Sequence, residues 1–281
     1  MESVFFEKIH NAASDFPYVD YSMQDINYFA HVHDEIEIVY ITEGKTHITC
    51  DDSCFLAQKG DICVFMPTEI HSFSSPDKNS VYIIKLHCKN SQERINFSHF
   101  RMRNNPIKNG EELNIILKKQ IKNLVAEIKG RKPGYAFIAN SISHQIISTL
   151  LRSGQLLKIN PAFEKKQLYY AALLKDVNEY IDEHYKEHIC LNDICTYCNI
   201  STYYFAHIFK TATQSTFYNY LTAYRLDKAL ELLLHSDKKI IDIAQECGFS
   251  NTRSFNRSFK SFFSKTPSEY IKENLPIPQT Y

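Results

Sequence analysis

The feature that most constrains this chain is a pattern written twice in its last third. The first copy reads Asp193-Ile194-Cys195-Thr196-Tyr197-Cys198-Asn199-Ile200-Ser201 and runs on to Phe209-Lys210. The second reads Asp242-Ile243-Ala244-Gln245-Glu246-Cys247-Gly248-Phe249-Ser250 and runs on to Phe259-Lys260. The offset is 49 residues up to the serine and 50 at the Phe-Lys pair, which predicts one extra residue in the later helix of the second copy. Each copy has the parts of two helices meeting across a tight turn. A small residue, Cys195 or Ala244, lets the helices approach closely. Asn199 or Gly248 can take a positive φ. Ile200 or Phe249 plugs the angle, and Ser201 or Ser250 is expected to cap the next helix. Such a unit, a helix-turn-helix, presents the start of its second helix to a major groove.

The match extends beyond the repeat. Tyr224-Arg225-Leu226-x-x-Ala229 lies in the intervening helical stretch, and Thr266-Pro267-Ser268-Glu269-Tyr270 closes the second copy. Over about 170–273 these residues resemble the AraC/XylS family of transcription regulators. The resemblance implies two recognition helices in successive major-groove segments. Tyr203, Ala206 and His207 of the first, and Thr252, Arg253, Asn256 and Arg257 of the second, take the base-facing positions. The chemistry agrees: Arg can bond guanine O6 and N7 together, Asn can do the same with adenine, and Tyr203 and Ala206 can touch thymine methyls. Ser201, Lys210, Ser250 and Lys260 suit phosphates. The competing view of Arg253 and Arg257 is that they solvate an exposed helix face. Arg225, in mid-helix, reads as half of a structural ion pair. Members of the family usually carry Gly where this chain has Gln214 and Ser264, so a left-handed cap kept there would be strained.

The earlier half has a different period. Ile36–Ile41, Thr46–Cys50, Ile62–Met66 and Ser80–Cys88 are short β-prone runs, separated by the turn chemistry of Glu43-Gly44, Asp51-Asp52, Lys59-Gly60-Asp61 and Ser75-Pro76-Asp77. They predict a barrel or sandwich over about 28–90. Two helices follow. One, over about 111–129, carries Leu113, Ile116, Leu117, Ile121, Leu124, Val125 and Ile128. The other, over about 135–152, carries Ile138, Ile142, Ile146, Leu150 and Leu151. Gly154 and Pro161 predict a linker at 154–168. The expected organisation is therefore α+β: a sensing domain at 1–153, the linker, a DNA-binding domain at 169–273 and a tail at 274–281 that Pro276 and Pro278 keep from being helical.

His31-Val32-His33 followed by Glu37 would bring three donors to one face of a strand, and His71 could complete the set. With Gly60-Asp61 and Pro67, this resembles the cupin barrel and its metal motifs, except that Glu69 stands in the place of the usual Gly. Three readings remain open for His31, His33, Glu37 and His71. They line a pocket for a small effector such as a sugar or related metabolite, they hold a divalent metal (Zn, Fe, Mn or Ni), or they satisfy one another by hydrogen bonds. No cofactor is required by the DNA-binding half. A metal-dependent cupin enzyme is the alternative class, but an enzyme has no need of two helix-turn-helix units.

Composition bounds the rest. With 44% hydrophobic and 23% charged residues in 281, the chain has the balance of a globular protein of two domains. No apolar run approaches a membrane span, and the start has no basic segment before a long apolar one, so the cytoplasm is the expected compartment. The eight cysteines are then expected as thiols. Cys195-x-x-Cys198 reads as packing against a helix, since no second pair supplies further zinc ligands. Residues 168–281 are nearly neutral, with 12 Lys/Arg against 13 Asp/Glu, yet 247–265 hold Arg253, Arg257, Lys260 and Lys265 with no acid. The resemblance also implies a homodimer through the 111–129 helix, contact with RNA polymerase, and most simply an activator. The residues themselves do not separate activation from repression.

Overall fold

A computed structural model describes residues 17–24, 26–51, 53–75, 78–87 and 95–274. It divides into two compact units, one ending at Ala171 and the other beginning at Ala172.

The first unit is built on two four-stranded antiparallel sheets. The strands are β1 (Tyr18–Gln24), β2 (Tyr28–His31), β3 (Ile36–Glu43), β4 (Lys45–Cys50), β5 (Ser53–Gln58), β6 (Ile62–Phe65), β7 (His71–Ser74) and β8 (Ser80–Leu86). One sheet has the order β1-β8-β3-β6 and the other β2-β7-β4-β5. Their inner faces share a core of Val39, Ile41, Ile48, Ala57, Cys63, Phe65, Phe73, Val81 and Ile83. The outer face of the first sheet is covered too. Ile36, Ile38, Tyr40, Val64 and Ile84 pack against α1 (Glu112–Gly130) and α2 (Tyr135–Arg152). Strand β3 is therefore buried on both faces, and Glu37 is the one acidic side chain in its buried run. The helical stripes are narrower than their apolar residues suggested. Leu117, Ile121, Leu124 and Val125 are buried on α1, while Ile116 is 41% exposed. On α2 the buried line is Ala139, Ser143, Ile146 and Leu150, and Ile138 is 47% exposed.

The expected linker is folded. Within 154–168, β10 (Leu156–Lys158) pairs antiparallel with β9 (Phe100–Met102). Then α3 starts at Pro161 and runs to His184, so the division between the units falls inside a helix. The Asn160 side chain accepts from Phe163 N at 2.8 Å and caps that start. The sequence hid this because a Pro at the first helical position looks like a breaker while costing the helix nothing there. The short strands β1, β5, β9 and β10 go beyond the expected ones. Cys88, the end of the last expected strand, lies outside the described residues, as does the expected tail beyond Asn274.

The second unit is helical: α4 (Leu191–Tyr197), α5 (Thr202–Thr213), α6 (Phe217–His235), α7 (Ile240–Glu246), α8 (Thr252–Phe263) and α9 (Pro267–Asn274). Both later helices of the repeat have 12 residues. The extra residue of the second copy therefore falls in the turn, as Asn251, and not in the helix. Asn251 is the cap, accepting from Ser254 N at 2.8 Å, whereas Ser201 caps α5 through Tyr204 N. Ser250 does not cap. The closing motif is explained by α9: Glu269 accepts from Thr266 N and Oγ1 at 2.7 and 2.8 Å, a box around the Pro267 start. Among the described residues no helix is long and apolar enough to cross a membrane.

Candidate DNA interface and sensor-domain cluster

The two turns are built alike. Ile200 N donates to Cys195 O and Phe249 N to Ala244 O, each at 3.0 Å. Asn199 and Gly248 take the positive φ, 56° and 78°. Cys195 and Ala244 are buried where each pair of helices meets. On α5, Phe205, Ile208 and Phe209 face inward, which leaves Tyr203, Ala206, His207 and Lys210 exposed. On α8, Phe255 and Phe259 face inward, leaving Arg253, Asn256, Arg257 and Lys260 exposed, with Thr252 half-buried. Each set of outward residues thus shares one helix face. Tyr203 is 86% exposed, an unusual state for an aromatic side chain. Among the described residues no ion pair engages Arg253 or Arg257, so both guanidinium groups are available to a ligand. Ser250, expected at a phosphate, sits in the turn beside Asn251 Nδ2 at 3.2 Å. Helices α5 and α8 do end in left-handed residues, Gln214 at φ 54° and Ser264 at φ 58°.

Arg225 is structural, but not as half of an ion pair. Its Nε donates to Tyr185 O at 2.8 Å and an Nη to Glu187 O at 2.6 Å.

In the first unit His31, His33, Glu37 and His71 do converge. One donor atom from each lies within 4.8 Å of the others. The route differs from the expectation of a single strand face. His31 ends β2 and pairs in register with His71 of β7, His33 lies in the connection, and Glu37 points inward from β3 of the opposite sheet. The corner between β2 and β3, not strand alternation, brings them together. The Nδ1 atoms of His31, His33 and His71 face the carbonyl oxygens of Phe29, Glu35 and Glu69 at 2.8, 3.2 and 2.9 Å. A carbonyl only accepts, so each Nδ1 carries hydrogen and a neutral ring keeps its lone pair on Nε2, whereas His33 Nε2 faces a carboxylate, which also only accepts, and so donates to it. His33 Nε2 is 2.9 Å from Glu37 Oε2, and His71 Nε2 is 3.5 Å from Glu37 Oε1.

Burial, reinforced by His71, pushes His31 down to about 3, so its ring is neutral. Burial works most strongly against charge on His33, but the bond and charge of Glu37 together with Glu35 outweigh it, and the shift is upward. For Glu37, burial alone would raise the carboxyl; the charge of the nearby His71 and the bond from His33 hold it below the usual range. The cluster thus sets one buried carboxylate among three imidazoles.

Sequence reasoning missed Lys85. It pairs with Glu37 across β3 and β8, and its Nζ is 3.4 Å from Glu37 Oε2. Burial pushes this lysine down to about 7. No motif marks it; only strand register places it. Glu69 also has a use of its own. The left-handed backbone that glycine would suit falls at Thr68, φ 68°, while the Glu69 carboxylate accepts from Met66 N and lies 2.9 Å from Arg101 Nε. Cys50, Asp51 and Glu69 form a second converging group, with Arg101 beside it. Cys195 and Cys198 belong to neither group.

A sequence profile of AraC-like ligand-binding domains matches residues 15–158, and one of helix-turn-helix domains matches 194–273. The chain belongs to the AraC family of transcription regulators. It has that family's ligand-binding domain and a helix-turn-helix DNA-binding domain. A probable transcriptional regulator of Photobacterium leiognathi, LumQ, is 24% identical over 85% of this chain and 90% of its own. The regulatory protein PocR of Salmonella typhimurium is 36% identical over 37% of this chain and 36% of its own, so this chain spans about a third of it. Among solved structures, an apo variant of ToxT from Vibrio cholerae shares the fold with a TM-score of 0.52 at 13% identity, over 92% of this chain and 97% of that one.

Proposed function

We propose that this AraC-family chain is a metal-responsive DNA-binding regulator, with His31, His33, Glu37 and His71 as the site where the signal enters. One observation carries the reading. Glu37 Oε1 and His71 Nε2 are buried, face each other and have no hydrogen-bond partner among the described residues, while all three imidazoles are pinned through Nδ1 by backbone carbonyls. Pinned Nδ1–H groups are how metal-binding histidines are oriented, and three imidazoles with one carboxylate suit Zn, Fe, Mn or Ni. The ion would supply positive charge at this centre and a Lewis-acidic point for oxygen groups of an effector, a sugar or related metabolite among them. Lys85 favours a second reading, in which its ammonium alone balances Glu37 and the cluster satisfies itself.

The test is metal analysis of the purified full chain after expression in Zn-, Fe-, Mn- or Ni-supplemented medium. About one equivalent in the wild type and loss of it in His33→Ala support the reading. A metal-free wild type contradicts it and leaves the Lys85 reading. LumQ and PocR are named as regulators, which supports a role other than catalysis.

The output is sequence-specific DNA binding. Tyr203, Ala206, His207, Thr252, Arg253, Asn256 and Arg257 meet bases, and Lys210, Lys260 and the capped starts of α5 and α8 meet phosphates. A homodimer would use the apolar side chains left outside the core, Ile115 and Ile116 of α1 and Phe137 of α2, the last 83% exposed. Sedimentation of the full chain tests this. A dimer that Phe137→Glu dissociates supports it, and a monomer at high concentration rules it out.

A further inference from the structure

The second turn of the repeat is more constrained than the first. Its Gly248 does more than supply φ 78°: a Cβ there would collide with Tyr185 O and lie 2.9 Å from Arg225 Nε. Asn199, at the matching place in the first turn, is exposed and keeps its side chain. What crowds Gly248 is a clamp. Arg225 projects from α6 and holds two carbonyls, Tyr185 O and Glu187 O, in the segment between α3 and α4 that leads into the first helix-turn-helix. The same guanidinium lies against the turn of the second. A planar fork with several fixed donors can hold two carbonyls in one orientation, as a single ammonium cannot.

We propose that Arg225 is a positioning residue that sets the mutual placement of the two recognition helices, and so the spacing between the two DNA elements the protein accepts. This rests on the reading that both α5 and α8 contact bases. The first helix-turn-helix is entered through the 185–190 segment, the second turns at Gly248, and Arg225 touches both.

The consequence is a register. Inserting one base pair between two elements on B-DNA moves them apart by about 3.4 Å and rotates one by about 34°. A rigid pair of helices cannot follow; a loosened pair can. The experiment begins by selecting DNA from a random pool with the wild-type full chain. One and two base pairs are then inserted between the two enriched elements, and affinities are measured for wild type, Arg225→Ala and Arg225→Lys. The wild type is expected to lose on the order of tenfold or more per insertion, the scale of losing one good base contact. Arg225→Ala is expected to lose about threefold or less, with weaker binding at the native spacing.

Arg225→Lys keeps the charge and stem but can hold only one carbonyl firmly, and is expected to fall between them. It also carries the test if Arg225→Ala does not fold. A spacing profile identical to wild type in a folded Arg225→Ala, or in Arg225→Lys should the alanine variant not fold, overturns the clamp while leaving the two-helix reading intact. A wild type that enriches only one element overturns both.

Discussion

At the scale of single residues, two positions hold conformations or charges that a free side chain would avoid. Ser264 occupies the left-handed region at φ 58°, and no hydrogen bond of its side chain compensates among the described residues. Ser264→Gly is therefore expected to stabilise the helical unit by roughly 0.5–1 kcal/mol, read as a raised midpoint in urea denaturation. Gln214, at φ 54°, donates through Nε2 to Thr211 O at 3.0 Å, so Gln214→Gly should gain less. An equal or larger gain at Gln214 would contradict this account of the caps. Lys85 is the second position. An ammonium 3.4 Å from Glu37 competes with any cation the cluster takes. At an effective dielectric of about 20, charges this close interact by several kcal/mol. Lys85→Met should tighten zinc binding by about tenfold or more, measured by competition with a chromogenic chelator. Unchanged affinity would show that the lysine and the ion do not share the site.

At the scale of elements, the caps separate what the sequence made legible from what it hid. The repeat disclosed both helix pairs, their turns and their inward small residues, because each of these depends on neighbours in the chain. Helices α1 and α2 were legible within one residue at their ends for the same reason. The cap of α8 was not. Ser250 aligns with Ser201, but an inserted residue moves the role to Asn251, whose amide oxygen caps as well as a hydroxyl does. Asn251→Ala should cost about 1 kcal/mol, while Ser250→Ala should stay within ~0.5 kcal/mol. Denaturation of the two variants checks this, and the reverse order would restore Ser250 as the cap. The cluster shows the same limit. His31, His33, Glu37 and His71 were readable as a group. Lys85 was not, since its neighbour across the sheet is 48 residues away and only the β3–β8 register reveals it. Strand β3 is buried on both faces, so no alternation in its sequence marks which residue of β8 will stand opposite Glu37.

At the scale of the whole molecule, charge is distributed by function. The helical unit is nearly neutral overall, yet α8 exposes Arg253, Arg257 and Lys260 with no acid between them, while α5 exposes Tyr203, Ala206 and His207 with Lys210 alone. A protein of this kind gains little from general attraction to phosphate and must place both helices correctly to bind. The two elements it reads should differ accordingly. The α8 element should contain a guanine contacted by Arg257, and the α5 element should be read through thymine methyls and groove shape. The sensing unit can change the output only by binding its ligand with different affinity in two arrangements of the protein. Selection from a random DNA pool by the full chain, repeated with Arg257→Ala, measures this. The wild type is expected to enrich a site of two unequal elements about one helical turn apart, and the variant to bind ~1–3 kcal/mol more weakly and to lose its preference at one base of one element. A wild type that enriches no sequence, or an Arg257→Ala with unchanged affinity and base preference, would contradict it.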